Sequence, residues 1–573
     1  MANQSPGVLT NERIRDLIVR QATSTTGATV GLFDWGPINT PVLIGDPVDL
    51  VSTFGAPTNS NFVDPMCAAN YLAYTSALYV SRVANDEFVA GNDNSCRNSA
   101  VYIDTSTNVL EASSTVTSAV DNEIIVGNDD QFESVHVSLQ DDDVLFIGRF
   151  PGELANNLSV QISDANGFES VASGTNGTVS ANFFTRNLDS NELSVVVTDT
   201  TTGEVLERFI GSSVEGSTTE SGTNNFIVDI INRTAVYIRM INNTTFFTEV
   251  NAGNMSANIN FNLDFGSNGS FETPEAEASA RIFAWNEYID QEQYEVDLLF
   301  SSGASTVVQE HLLDNVVSVR QDCVAFISPK REDVVGITDN NTILTNIRAH
   351  RDEFNSNSYA FIDSNYKYQF DPFNDTYRWV PLNADMAGLH AQSETTTAAW
   401  FAAGGFNRGH IKNVTKLAWQ PNKAHRDVLY RNEINPVLNF AGEGAILLGN
   451  KTMLTSTSAF SSMNVRRLFN VLKRSIAKMA RFQLFEFNDR QTRLAFVQAV
   501  EPFLRDIQGR RGITEFRVVA DTTNNTSQVI NNSEFVGDIY IIPARAIEVI
   551  RLNFISVAAG VDFEELINLN GEQ

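Results

Sequence analysis

Lysine does not occur before Lys330, and cysteine occurs only at Cys67, Cys96 and Cys323 in a chain of 573 residues. Three cysteines, far apart and without a Cys-x-x-Cys pair, exclude a disulfide framework and a zinc knuckle and fit a reducing compartment. No run of 18 apolar residues is present, so no membrane span is expected. The most apolar stretch, residues 539–561, is interrupted by Arg545, Glu548 and Arg551 and reads as paired strands. Residues 1–10 lack a basic segment followed by an apolar one, so export through a signal peptide is not expected either. Asn-x-Ser/Thr sequons, such as those at Asn242 and Asn524, then carry no expectation of glycans.

Ligand and catalytic motifs are equally scarce. The six histidines, at 136, 311, 350, 390, 410 and 425, show no His-Glu-x-x-His or other ligand spacing, so no metal site is expected. No Gly-x-Ser-x-Gly turn exposes a nucleophile. Asp363, His390 and Ser393 could be gathered by an α/β sheet, but a large chain offers many such triples. The nearest approach to a phosphate loop is GAILLGNKT at 444–452, where Asn450 separates the glycine from the lysine that must follow it directly. Its apolar interior reads as a buried strand followed by a turn.

Charge is present in excess of one sign, and unevenly. The total of 39 basic and 69 acidic residues gives 39 − 69 = −30. Residues 1–320 hold 12 basic and 42 acidic side chains (12 − 42 = −30), whereas 321–573 hold 27 of each (27 − 27 = 0). The acidic part is rich in Ser, Thr, Asn and Gly, which suits an outward-facing, soluble surface or one that avoids nucleic acid and anionic lipid, and on either reading no DNA-binding role is expected of the first half. At this length three to five domains are expected, each burying its own core.

Residues 28–83 read as an α/β unit: the strand and turn ATVGLFDWG, the helix-like AANYLAYTSALYV, and a short strand ending at Arg82 and Val83. From about 96 to 270 the pattern changes to short β-rich runs such as EIIV at 123–126 and VLFIGRF at 144–150. LSVVVTD and EVLERFI flank a Thr-Thr-Thr-Gly turn as a hairpin. This is all-β insertion material. From about 280 to 445 the apolar strands VDLLF, CVAFISP and SYAFID alternate with helical stretches and imply a parallel sheet covered on both faces.

The strongest periodicity lies in residues 464–484, where Leu468, Leu472, Ile476 and Met479 share one helix face while Arg466, Arg467, Lys473, Arg474, Lys478 and Arg481 gather on the opposite arc. Six like charges on one face repel one another unless something offsets them. A solvated face, a partner or intersubunit surface, and a nucleic-acid or membrane contact all remain open for this arc. A second helix is expected over residues 491–507 with Leu494, Val497, Val500 and Leu504 inward and Gly509 as its stop, followed by strands in FRVVAD, GDIYIIP and IEVIRLNFISV.

Several segments carry a family resemblance. They are SPGVLTNE at 5–12, VGLFDWGPINTPVLIGDPVDLVSTFGAP at 30–57, YLAYTSALYVSRV at 71–83 and RFPGELANNLSVQI at 149–162. The densest runs from FNRGHIKNVTKLAWQPNKAHRDVLYRNEINPVLNFAGEGAILLGNKTM at 406–453 into NVRRLFNVLKRSIAKMARFQLFEFND at 464–489. FLRDIQGRRGITEFRVVAD, EFVGDIYIIPARAIEVIRLNFISV and GVDFEEL complete the set. In these segments the chain resembles the contractile tail sheath proteins of myovirus-type phages, in the larger, insertion-bearing form.

The resemblance implies an α/β and α+β multidomain protein with a discontinuous core. Its parts are an N-terminal linking arm (1–20), an N-terminal α/β part of the core (21–95), inserted β-rich outer domains (96–275), a subtilisin-like α/β sheath domain without protease function (276–445) and a C-terminal sheath domain ending in a linking strand (446–573). It implies a helical homopolymer around a tail tube that contracts and drives the tube through the host envelope, with no enzyme activity and no cofactor. The implied partners are copies of the chain itself, the tail tube protein, the baseplate and tail terminator or neck proteins, with no nucleic acid and no membrane insertion. The implied place is the virion, after assembly in the host cytoplasm.

In this scheme the arm residues Ser5, Val8, Leu9, Ile14 and Ile18 and the strand residues Ile547, Val549, Ile550, Leu552, Phe554 and Val557 add strands to a neighbour's C-terminal domain. Lys473, Arg474, Lys478 and Arg481 face an acidic tube surface. The competing readings are the sheath of a bacterial contractile injection device, which shares this mechanics, and, from another class, a subtilisin-like hydrolase.

Overall fold

The computed structural model describes residues 25–86, 94–103, 123–139, 143–165, 188–253, 255, 258–548 and 550. Its centre is a six-stranded sheet assembled from two distant stretches of chain. β1 (Gly27–Leu32), β2 (Val42–Ile44) and β3 (Leu78–Val83) come from the N-terminal part, and β11 (Leu298–Phe300), β12 (Val324–Ile327) and β13 (Ala360–Ile362) come from beyond the insertion. The order is β13-β12-β11-β1-β3-β2, with every pairing parallel except that of β2 with β3. β11, β12 and β13 are apolar along their whole length because both faces are covered, whereas β1 and β3 also bury Thr29, Ser81 and Arg82. On one face helices α1 (Pro47–Phe54), α2 (Val63–Leu72) and α4 (Asn383–Thr396) bury Phe54, Tyr71, Phe300, Phe326 and Leu389. On the other, α3 (Pro274–Asn286) and the helical turns of residues 306–320 bury Trp285, Tyr288, Val308 and Val316.

Buried ion pairs tie these layers together. Arg281 of α3 reaches Asp64 of α2 at 2.7 Å and donates to the Val30 carbonyl, so one side chain joins both helical layers to β1. Lys367 and Asp385, both fully buried, pair at 2.8 Å. The AANYLAYTSALYV segment, expected to be helical throughout, is helix only to Leu72 and then strand from Leu78. Its alternating half pairs in register with β1, and sheet pairing outweighs helical propensity there.

The insertion departs from the all-β expectation. It holds a four-stranded antiparallel sheet of β10 (Asn258–Asn262), β6 (Leu158–Ser163), β7 (Glu192–Asp199) and β8 (Val205–Ser212), in that order. A second sheet has β5 (Val144–Gly148) between β4 (Ala100–Tyr102) and β9 (Ile238–Met240). Helices Asp129–Leu139, Ile227–Thr234 and Thr244–Asn251 pack against them. The latter two are eight residues long, about two turns, too short for a helical period to stand out in sequence, yet they bury Ile227, Val228, Ile231, Phe246 and Phe247 in the insertion's own core. EIIV at 123–126 is not a strand. The Asn98 side-chain amide donates to the Val126 carbonyl and accepts from its N–H, replacing a ladder partner.

The hairpin flanking Thr-Thr-Thr-Gly forms as expected, as β7 and β8. Three small sheets complete the molecule. They are β15 (Thr376–Pro381), β14 (Tyr366–Asp371) and β16 (Lys416–Leu417); the hairpin of β17 (Val437–Phe440) and β18 (Gly444–Leu447); and β19 (Ile513–Val519) with β20 (Asp538–Pro543). The last packs with helices α5 (Met463–Ala480) and α6 (Arg490–Gly509) around Leu468, Leu472, Val500, Leu504 and Ile507.

Candidate assembly surfaces

Helix α5 forms where the apolar period places it, with Leu468, Leu472 and Met479 buried and Ile476 partly so. Its basic arc is only partly a solvated face: Arg466, Arg467 and Arg474 are held against the fold, whereas Lys473, Lys478 and Arg481 are exposed. The helix crosses the N-terminal edge of the parallel sheet, and the residues just before β11, β12 and β13 meet its charges. Arg474 lies between Asp297 and Asp322 and donates to the Val296 carbonyl. Lys473 donates to the Tyr359 hydroxyl at 3.0 Å. Arg466 is held between the rings of Tyr359 and Phe460, and Arg467 pairs with Glu394 at 2.7 Å. Carboxylates of the chain itself thus offset Arg467 and Arg474, while Arg466 and Lys473 are held by aromatic rings and a hydroxyl.

Further along the helix the pairing weakens. Lys478 meets Glu295 at 2.8 Å and Arg481 approaches Glu292 at 4.0 Å, all four side chains being exposed. Of the four residues expected to face a tube, Arg474 is largely buried, whereas Lys473, Lys478 and Arg481 are exposed. Burial pushes the Asp297 carboxyl up to about 7 against the pull of Arg474.

Beyond Ala480 the expected helix gives way to a short turn and a loop. Phe482, Leu484, Phe485 and Phe487 project from it with exposures of 71%, 64%, 106% and 86%. The sequence signal was available: Phe-Gln-Leu-Phe-Glu-Phe at 482–487 lies one residue before the N-cap Asp489, whose side chain accepts from the Thr492 N–H at 2.8 Å. Leu494, expected inward on α6, is exposed instead, and Phe496, Phe503 and Ile507 take the inward positions.

The two linking segments lie largely outside the described residues. This holds for Ser5, Val8, Leu9, Ile14 and Ile18, and for Val549, Leu552, Phe554 and Val557. Ile547 and Ile550 follow β20, lie in no strand, and are 83% and 75% exposed. Among the described residues the β19–β20 pair is two-stranded, so neither outer edge has a ladder partner from a third described strand.

The chemistry-bearing candidates settle into structural roles. His390 Nδ1 hydrogen-bonds to the Met386 carbonyl one turn back in α4, and burial holds its pKa down at about 3. Ser393 bonds to the Phe401 carbonyl, and Asp363 accepts from the Ser328 hydroxyl and the Asn365 N–H. Each member of the triple thus has its own partner elsewhere. In GAILLGNKT, residues 444–447 are β18, and a Cβ on Gly449 would lie 2.4 Å from Asn435 Oδ1. That asparagine also accepts from the Lys451 N–H, while Lys451 Nζ donates to the Tyr430 carbonyl at 2.7 Å. The glycine allows a close approach, and the lysine is spent inside the fold. Among the described residues, no group of three or more His, Cys, Asp or Glu side chains could hold a metal ion, and no helix is long and apolar enough to cross a membrane.

Comparison with known proteins places this architecture among phage tail proteins. Residues 275–453 match the family model of the phage tail sheath protein central domain, and residues 455–555 match that of the phage tail sheath C-terminal domain. A tail sheath protein of Vibrio phage KVP40 is 30% identical, covering 98% of this chain and 99% of its own. A tail sheath protein of Enterobacteria phage T4 is 41% identical over 53% of this chain and 48% of its own. The crystal structure of a sheath tail protein from Listeria innocua superposes with a TM-score of 0.54 at 10% identity, covering 91% of this chain and 96% of that one, and shows the shared fold.

Proposed function

The chain belongs to the phage tail sheath protein family, and from that premise we propose that it polymerises into the helical contractile sheath around a phage tail tube. Contraction drives the tube through the host envelope for genome delivery, without enzymatic activity or a cofactor. The partners are further copies of the chain, the tube protein, the baseplate and terminator or neck proteins; assembly takes place in the host cytoplasm. The single observation that carries this reading is the end-to-end match to a phage tail sheath protein, 98% of one chain against 99% of the other.

Physical features support the finer points. A two-stranded sheet is marginal on its own; among the described residues β19–β20 has no third strand on either edge, and Ile547 and Ile550, which follow it in sequence, are exposed. Residues 5–18 and 547–557 are the strands that add to a neighbour's hairpin. The contact is heterologous and does not close, which yields a helix. Subunits move as rigid bodies during contraction while these links keep the polymer connected. The parallel-sheet core is of subtilisin-like type. Of the basic helix, Lys473, Lys478 and Arg481 face the tube, and Arg474 holds the helix that presents them.

Negative-stain electron microscopy of the full chain beside a variant lacking residues 1–20, each with and without tube protein, tests the reading. Sheath tubes from the full chain and none from the truncated one are expected. Monomers from the full chain even on added tubes would overturn it.

A further inference from the structure

Beyond β20 the chain does not turn back at once. The Ala544 N–H donates to the Gly512 carbonyl at 3.1 Å, one step past the Ile513–Pro543 pair, so the ladder with β19 runs on by a residue. The next residues reach a groove with a cavity volume of about 410 Å³. One wall is the helix Lys423–Arg431, which presents Lys423, Arg426, Asp427 and Tyr430, a spacing of i, i+3, i+4 and i+7 that shares one helix face. The turn after β18, residues 448–450, forms another wall, and Ala546, Ile547 and Glu548 complete the lining. What lies over this groove is therefore the chain's own C-terminal segment.

Charge and positioning favour that contact. Two cations against one carboxylate leave the helix face positive, and Glu548 brings the opposite sign. The Tyr430 hydroxyl hydrogen-bonds to the Glu548 carboxylate; burial first and this charge second push the phenol well above its ordinary pKa, so it keeps the proton it donates. Tyr430 is in turn held by Lys451, whose ammonium lies 4.5 Å from the ring centroid and donates to the Tyr430 carbonyl at 2.7 Å. The lysine of GAILLGNKT is thus a positioning residue for this tyrosine.

We propose that Tyr430 and Glu548 form a clip that fixes where the C-terminal chain leaves the subunit. A tight hairpin back onto β20 would turn within residues 544–548, the stretch that the clip holds against the groove. Of residues 547–557 the clip engages only the start. The rest is kept from the subunit's own hairpin and sets out toward another copy's from one fixed point, which lowers the ordering cost of docking there. This role rests on the arm-linked polymer proposed above; the clip in the monomer does not.

Trypsin digestion of the dilute full-length monomer, read by mass spectrometry at the bond after Arg545, tests the clip. Tyr430→Phe, which removes one hydroxyl, and Glu548→Gln should each speed that cut about tenfold, because the bond is cut only after the segment lifts. A synthetic peptide of residues 540–553, with and without Glu548→Gln, corrects for any change in the intrinsic rate. The double variant should be no faster than either single one, since both side chains act through one contact. Unchanged rates, or effects that multiply in the double variant, would overturn the clip. Should Tyr430→Phe fail to fold, Glu548→Gln still decides, because its side chain is exposed. Sheath growth on added tube protein tests the role: Glu548→Gln should extend sheaths about tenfold more slowly at equal subunit concentration. A faster cut with unchanged growth would overturn the role, whereas a parent chain that keeps the clip and grows no sheath would overturn the polymer reading instead.

Discussion

Asp363 shows how a side chain suggestive of chemistry becomes a structural one. It is fully buried at the end of β13, and burial pushes its carboxyl up from 3.8 to about 7 against the hydrogen bonds from Asn365 and Ser328. Between about pH 4 and 7 the folded chain therefore holds a proton that the unfolded chain has released, so stability falls as pH rises through that window and the contribution is gone above it. Asp363→Asn should flatten this part of the profile. Chemical denaturation from pH 4 to 8 should find the parent losing up to a few kcal/mol more than the variant. An unchanged difference across that range would mean the carboxyl is ionised throughout. The sequence offered Asp363, His390 and Ser393 as a conceivable triple. It could not reveal that each bonds elsewhere, because that depends on which strand end faces which helix.

At the scale of elements, periodicity was legible wherever one partner surface determines the pattern. The apolar stripe of α5, the β7–β8 hairpin and the fully apolar strands β11, β12 and β13 all lie where their patterns put them. The second face of α5 was not legible. Arginine and lysine look solvent-facing in sequence, and only the neighbouring loops turn that arc into a latch of helix onto sheet edge. Arg474→Met should test the latch, since it leaves Asp297 buried without its cation. Removing one partner of a buried pair typically costs about 3–5 kcal/mol, and adding Asp297→Asn should restore part of the loss. Denaturant titration of the two variants is the measurement, and a loss under about 1 kcal/mol for Arg474→Met would show that the carboxyl is simply protonated there. The short helices of the insertion were illegible for a different reason: two turns hold too few residues for a period to exceed chance.

For the whole molecule, separate cores predict separate stabilities. The insertion's core around Phe226, Ile227, Phe246 and Phe261 is distinct from the two that cover the central sheet and from the one between α5 and α6. Calorimetry of the monomer should resolve at least two transitions, and Arg474→Met should lower the one that includes α5 while leaving the insertion's unchanged. A single transition shifted as a unit would mean that the cores are thermodynamically fused. The insertion between β3 and β11 has a further consequence in time. On the ribosome, β1 and β3 emerge long before β11, which must pair beside β1. The antiparallel run β6-β7-β8 of the insertion, built from strands consecutive in sequence, can close while the first strands still wait. Translation therefore makes all of the insertion's strands before the central sheet can be completed, and the early strands are the part of the nascent chain that a cell's chaperones have most reason to guard.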